Sequence, residues 1–241
     1  IDAVVHLAGA GIGDKRWTES YKREIKDSRT KGTAVLSEAL ASLDRPPQVF
    51  LSGSAIGIYG NRGDETLTET SAPGRGFLAE VCIAWEQAAG LAAQRGIRTA
   101  YLRTGIVLSR RGGALRKQLP LFKLGFGGRM GTGRQWQSWI SITDHVSAVV
   151  HLLTHEVAGP VNLTAPNPVT NAEFTRTLGH ALRRPTALPT PSFGPKLLLG
   201  SELATALLFE GQKVLPAVLR NAGFEFAHPD LAGALEAELA A

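Results

Sequence analysis

The sequence predicts an α/β protein, a doubly wound parallel sheet followed by a smaller, mostly helical C-terminal part. Two observations carry this. Short apolar runs alternate with segments of helical periodicity up to about residue 110, the strand–helix–strand pattern whose crossovers make neighbouring strands parallel. After Ser109 the alternation gives way to glycine-punctuated and proline-rich stretches with short helical pieces.

Each element has its own signal. Ile1–Ala8 (IDAVVHLA) reads as a buried strand entering the Gly9-Ala10-Gly11 turn. Thr18–Leu43 has helical spacing, with Tyr21, Ile25, Val35, Leu36 and Leu40 on one side, and Pro46-Pro47 stops it. Val49–Ser52 is a second buried strand, with a Gly/Ser/Asn-rich turn region running to about Gly76. Leu78–Arg95 reads as one helix and Thr99–Leu108 as a third strand. Leu119, Leu121, Phe122 and Leu124 read as the apolar anchor of a glycine-rich loop. Asp144–His155 is a helix, Val161–Leu163 a short strand and Asn171–Leu182 another helix, before a segment carrying Pro185, Pro189, Pro191 and Pro195. The expected division is 1–110 and 111–241, with elements of the second part returning to the sheet.

Composition narrows the function classes. With 44% hydrophobic and 20% charged residues, the chain has enough apolar surface to fold around a core. The net charge of +5 is not evenly spread: Gln87–Thr143 holds ten basic residues and not one Asp or Glu. Such a local positive field suits a small anionic substrate better than a polymer. A single cysteine, Cys82, excludes an internal disulfide and fits a reducing, cytoplasmic setting. No apolar run reaches the ~18 residues of a membrane helix. A homodimer is a further expectation.

Several motifs invite a function they do not support. Gly9-Ala-Gly11-Ile-Gly13 lacks the third glycine of G-x-G-x-x-G, and Asp14 stands there, where its carboxylate would repel a pyrophosphate. His151 and His155 are spaced for a metal, but Leu152 replaces the zincin glutamate and no third ligand is evident, so no metal site is expected. Ser52-Gly-Ser54 misses the Gly-x-Ser-x-Gly hydrolase elbow. The basic stretch with Trp136 and Trp139 has the ingredients of single-strand binding, yet its apolar anchors point to a structured segment, and no nucleic-acid partner is expected.

Taken together, other motifs resemble the extended short-chain dehydrogenases/reductases, the epimerase/dehydratase group. They are Asp2-Ala-Val-Val-His6-Leu-Ala8-Gly9, Ser28-x-x-x-Gly32-Thr33, Phe50-Leu-Ser52-Gly-Ser54 with Tyr59-Gly60, Leu102-Arg103-Thr104-Gly105, and Trp139-Ile-Ser-Ile-Thr-Asp144. Asp14-Lys-Arg-Trp17-Thr18, Phe77-Leu-x-x-Val-Cys-x-x-Trp85-Glu86 and Gly211-Gln-Lys-Val-x-Pro216 are similar to an atypical subfamily of epimerase family proteins, with a DUF1731-like segment over Glu210–Leu239. The resemblance implies a Rossmann-like sheet and an NADP or NAD cofactor, NADP being favoured. It implies cofactor contacts at Leu7, Ala8, Gly9, Ser28, Ser52, Gly53, Thr104 and Gly105. It assigns Ser54 as the catalytic residue and Lys15, Arg16, Trp17, Tyr59 and Arg134 to the substrate side.

Three departures qualify those expectations. The family's Gly-rich first strand and loop are missing, so about 50–60 further residues, the size of two βα units, are expected ahead of Ile1. The Tyr-x-x-x-Lys pair falls on Phe77 and Val81, which can neither move a proton nor lower a neighbouring pKa. Lys15, Tyr59 and Glu80 are the candidates to substitute. Gln137 stands where a nucleotide-sugar diphosphate would meet an arginine, with Arg134 three residues earlier. The expected function is therefore an atypical oxidoreductase, the alternative a silent cofactor-binding regulator.

Overall fold

The computed structural model describes residues 1–186 and 189–240. Its centre is a parallel sheet of β1 (Ala3–His6), β2 (Val49–Ala55), β4 (Arg98–Thr104) and β8 (Gly159–Leu163), in the order β1-β2-β4-β8. The intervening β3 (Thr66–Leu67) belongs to a small outlying pair. The long α1 (Glu19–Ala41) connects β1 to β2, and Thr18 caps its start by accepting the Tyr21 amide. Two shorter helices, α2 (Phe77–Ala88) and α3 (Gly90–Gln94), lead into β4.

Both faces are covered over β2 and β4, whereas β1, expected as a buried strand, leaves Ala3 and Val5 exposed. Phe50 packs with Leu40, Ala89, Ala92 and Ile97 on the α1/α3 side. Val49, Leu51, Ala100 and Leu102 meet Ala148 and Leu152 of α5 (Ile142–Thr154) on the other. This alternation along each strand is what period-2 geometry demands of a sheet buried on both faces.

The expected helix 78–95 is broken at Ala89. Ser37 Oγ, reaching across from α1, donates to Ala89 O at 3.2 Å and accepts from Ala92 N at 2.9 Å, drawing both groups out of a continuous helical ladder. The expected strand 99–108 is also two. At Gly105 the chain leaves the main sheet, and β5 (Ile106–Leu108) pairs in parallel with β7 (Trp139–Ser141). No side chain fits at the junction, because a Cβ on Gly105 would lie 2.5 Å from Ser138 O.

The segment expected as a glycine-rich loop contains a helix, α4 (Gly113–Lys123), despite Pro120 within it. Leu115, Leu119 and Phe122 line its buried face, and that apolar stripe outweighs the lost amide. The short β6 (Trp136–Gln137) pairs with β9 (Val169–Thr170), after which α6 (Asn171–Ala181) starts with a Thr170/Glu173 capping box.

The remaining elements are α7 (Phe193–Leu199), α8 (Ser201–Ala204), a wide π-type turn over Thr205–Phe209, β10 (Lys213–Val214), α9 (Ala217–Asn221) and α10 (Leu231–Ala240). β10 pairs with β3. α4, α6 and α10 enclose a second core of Leu119, Phe122, Phe174, Leu178, Leu231 and Leu235. Asp144, buried at the start of α5, accepts the amides of Ala227 and His228 and fastens the C-terminal segment to the sheet side. Among the described residues no helix is long and apolar enough to cross a membrane.

Candidate active site at the carboxyl ends of the strands

Strand register builds the site. Ser54 on β2 is opposite Arg103 on β4, and Arg103 is opposite Asn162 on β8. Register partners in a parallel sheet project to the same face, so three polar side chains form a row across three strands. Helix α2 lays Glu86 over that row. Ser54 Oγ donates to Glu86 Oε1 at 2.7 Å, and Arg103 donates to both Glu86 oxygens at 2.8 and 3.0 Å.

Arg103 also donates to Tyr59 Oη at 3.0 Å, and the phenol donates to Asn162 Oδ1 at 2.7 Å. Glu69 closes the far end, accepting the amides of Asn162 and Val218. The geometry sets the charge states. Burial opposes the Arg103 charge, but the bonds and charge of Glu86, with Tyr59 beyond, hold its pKa above the usual range. Burial raises the Tyr59 pKa, against the pull of Arg103 and Asn162. Tyr59 therefore stays a neutral donor at neutral pH, not an activated base.

The residues expected around a cofactor gather at this same edge. Leu7, Ala8 and Gly9 follow β1 and are exposed, Ser52 and Gly53 lie mid-strand in β2 with Ser52 level with His6 at the end of β1, and Thr104 ends β4 with Gly105 just beyond it. Backbone packing is tight here: a Cβ on Gly53 would lie 2.5 Å from the Trp85 ring. Ser28 instead fixes the turn after β1, accepting Ala10 N at 3.0 Å and donating to Ile25 O. Register partners His6 and Ser52 each bury a polar atom, Nε2 and Oγ, that has no hydrogen-bond partner among the described residues. Orphaned polar atoms beside open strand ends fit the polar ribose–nicotinamide portion of a dinucleotide.

A cleft of about 440 Å³ lies alongside, between the start of α2 and the α8 region. Trp17 and Phe77 meet edge-to-face in its wall at 4.9 Å, and Arg75, Glu202, Glu210 and Gln212 also line it. Of the five residues expected on the substrate side, Trp17 is the one lining this cleft. Tyr59, expected on the substrate side, is wholly buried in the polar row and does not line this cleft. Lys15 points outward to Glu24, and Arg16 is engaged by the carbonyls of Leu197 and Leu198. Arg134 is exposed in the loop before β6. Glu80 is exposed on α2, and Val81 packs with Tyr21 and Ile25.

The acid-free basic stretch does not form one positive wall. Arg98 caps the end of α5 by donating to Leu152, Leu153 and Val157 carbonyls, and Arg103 belongs to the polar row. Arg110, Arg111 and Lys123 line a separate cavity in the C-terminal part. His151 and His155 stack at 3.6 Å, and among the described residues no group of three or more His, Cys, Asp or Glu could hold a metal.

Sequence reasoning missed Glu86, Asn162 and Glu69 as members of the site. Trp85-Glu86 lay within a quoted motif, and an acid in an otherwise apolar helical run was the available signal. Asn162 carried none, since a lone polar residue in a short apolar strand reveals its face but not its partner.

Comparisons with known proteins agree with this architecture. Residues 190–238 match a domain of unknown function, DUF1731, beginning ahead of the segment expected from Glu210. The chain is 45% identical over 236 residues to the epimerase family protein Mb2239 of Mycobacterium bovis, covering 98% of this chain and 77% of that protein. It is 42% identical to the chloroplastic SDR39U1 homolog of Arabidopsis thaliana, covering 98% and 67%. The crystal structure of human epimerase family protein SDR39U1 with NADPH superposes with a TM-score of 0.94 at 34% identity, covering 98% of this chain and 81% of that one. Residues 1–164 match the NAD dependent epimerase/dehydratase family, and with strands, site and relatives in accord, the chain belongs to that family.

Proposed function

We propose that this chain is part or all of an NADPH-dependent oxidoreductase acting on a small anionic substrate. The observation that carries the reading is the Ser54–Arg103–Asn162 row with Glu86 fixed above it. The NADPH of human SDR39U1, at 34% identity, favours NADP over NAD here. When bound, the reduced nicotinamide supplies a hydride. Ser54 would then meet the substrate oxygen. The proton that a reduced carbonyl also needs would come from solvent, and the product alcohol would donate to the Ser54 hydroxyl oxygen, whose own hydrogen is committed to Glu86. Arg103 holds Glu86 through two bonds and so fixes the direction of that hydroxyl. Trp17 and Phe77 offer an apolar wall, and the exposed Arg75 is the guanidinium available to an anionic group. A cytoplasmic setting suits the single buried thiol, Cys82.

A silent cofactor-binding regulator is the second reading, favoured by Phe77 and Val81 at the family's Tyr and Lys positions. The full-length protein separates the two. NADPH binding is followed by fluorescence, and oxidation by loss of NADPH absorbance against carboxylate- and phosphate-bearing carbonyl compounds. We expect turnover, with Ser54→Ala lowering kcat by roughly 100-fold or more while NADPH affinity holds. Glu86→Gln should lower kcat while NADPH affinity holds. Turnover at the unsubstituted rate in Ser54→Ala would refute the site assignment, and tight binding without turnover would favour the regulator.

A further inference from the structure

The second cavity, of about 580 Å³, shares no lining residue with the cleft walled by Trp17 and Phe77. Four cations surround it: Arg110 and Arg111 from the turn after β5, Lys123 at the end of α4, and Arg183 just beyond α6. Among the described residues none of the four side chains has an ion pair or a hydrogen-bond acceptor. The nearby acid, Glu238, accepts the backbone amide of Arg110. Leu119, Leu182 and Leu239 form an apolar floor. The volume lies within the range of small-molecule sites, which are apolar hollows with a few convergent polar groups.

Arg183 supplies an independent observation. It is the one non-glycine among the described residues with a positive φ, 54°. Its amide donates to His180 O and the next amide, of Arg184, to Gly179 O, the Schellman ending in which glycine is the strain-free residue. Lysine or arginine near a helix end ordinarily complements the helix dipole. That accounts for Lys123, but it does not require an arginine in the left-handed position, nor Arg110 and Arg111, which precede a helix.

We propose that this cavity binds a small amphiphilic anion, a phosphate or carboxylate on an apolar body. The anionic group would sit among the four cations and the apolar body on the leucine floor. This site stands independently of the oxidoreductase reading. Calorimetric titration of the full-length protein with octyl phosphate, below its micelle concentration, tests it against inorganic phosphate and octanol. Octyl phosphate is expected to bind at least tenfold more tightly than either.

Arg183→Gly is the informative variant, because it relieves the backbone while deleting the charge. It should raise Tm by about 2–4 °C and weaken octyl phosphate at least tenfold. Arg111→Ala should weaken binding likewise, and Lys31→Ala, on α1 and outside the cavity, should leave it unchanged. Equal affinity for octyl phosphate and inorganic phosphate would overturn the proposal. So would unaltered binding by Arg183→Gly, or affinity confined to anionic vesicles or oligonucleotides.

Discussion

At the scale of single residues, the candidate site was partly legible. Ser54 and Tyr59 were singled out by their resemblance to the family's serine strand and its Tyr-Gly turn. Arg103 read as one more cation in a basic stretch, and its pairing with Glu86 depends on α2 crossing over β4. Burial also marks residues that no motif singled out. His145 sits 3.5 Å from Thr104 Oγ1, and burial lowers its pKa, as it does that of His6; His151 shifts the same way through burial, with His155 adding to it. Each such imidazole takes up a proton more readily in the unfolded chain, whose value is near 6.5. Its contribution to stability is complete above about pH 6.5 and is lost as pH falls through the lower folded value. Thermal melts should therefore show Tm falling from pH 7.5 to 5.5. His145→Gln should flatten that slope, and an unchanged slope would remove His145 as a source.

At the scale of elements, the apolar runs located α1 and β2 because one side of the helix and both faces of the strand are committed to the core. Two boundaries were invisible for a physical reason. The α2/α3 break depends on Ser37 from a distant helix. The β4/β5 break depends on what stands opposite Gly105, the Ser138 carbonyl and the Thr164 methyl. Helix α4 was readable from Leu115, Leu119 and Phe122, but the surrounding glycines and Pro120 outvoted that stripe. The Gly105 junction gives a direct prediction: Gly105→Ala should destabilise by about 1–3 kcal/mol, measured as a lower urea midpoint. A neutral effect would mean that β5 can shift away from Ser138 without penalty.

At the scale of the whole molecule, the sheet and the C-terminal part close over one another, and Cys82 lies beneath that closure. Burial, with Glu86 nearby, pushes its thiol up to about 12, so almost no thiolate exists at neutral pH. Alkylation by iodoacetamide should accordingly be slow in the native protein and accelerate in step with global unfolding in urea. Rapid labelling without denaturant would reveal local opening of α2. The fold class was legible because alternation of strands and helices dictates parallel pairing, whereas the assembly of the polar row depends on register between strands far apart in the chain.

That distance has a kinetic meaning. Tyr59 and Asn162, hydrogen-bonded at 2.7 Å, are separated by 103 residues, and parallel strands meet only after long loops have closed. Whatever the order in which the earlier strands associate, the row is complete only once β8 has docked. During refolding, then, the polar row can be complete no sooner than the docking of β8, and under the proposed oxidoreductase reading the regain of NADPH oxidation would report that docking.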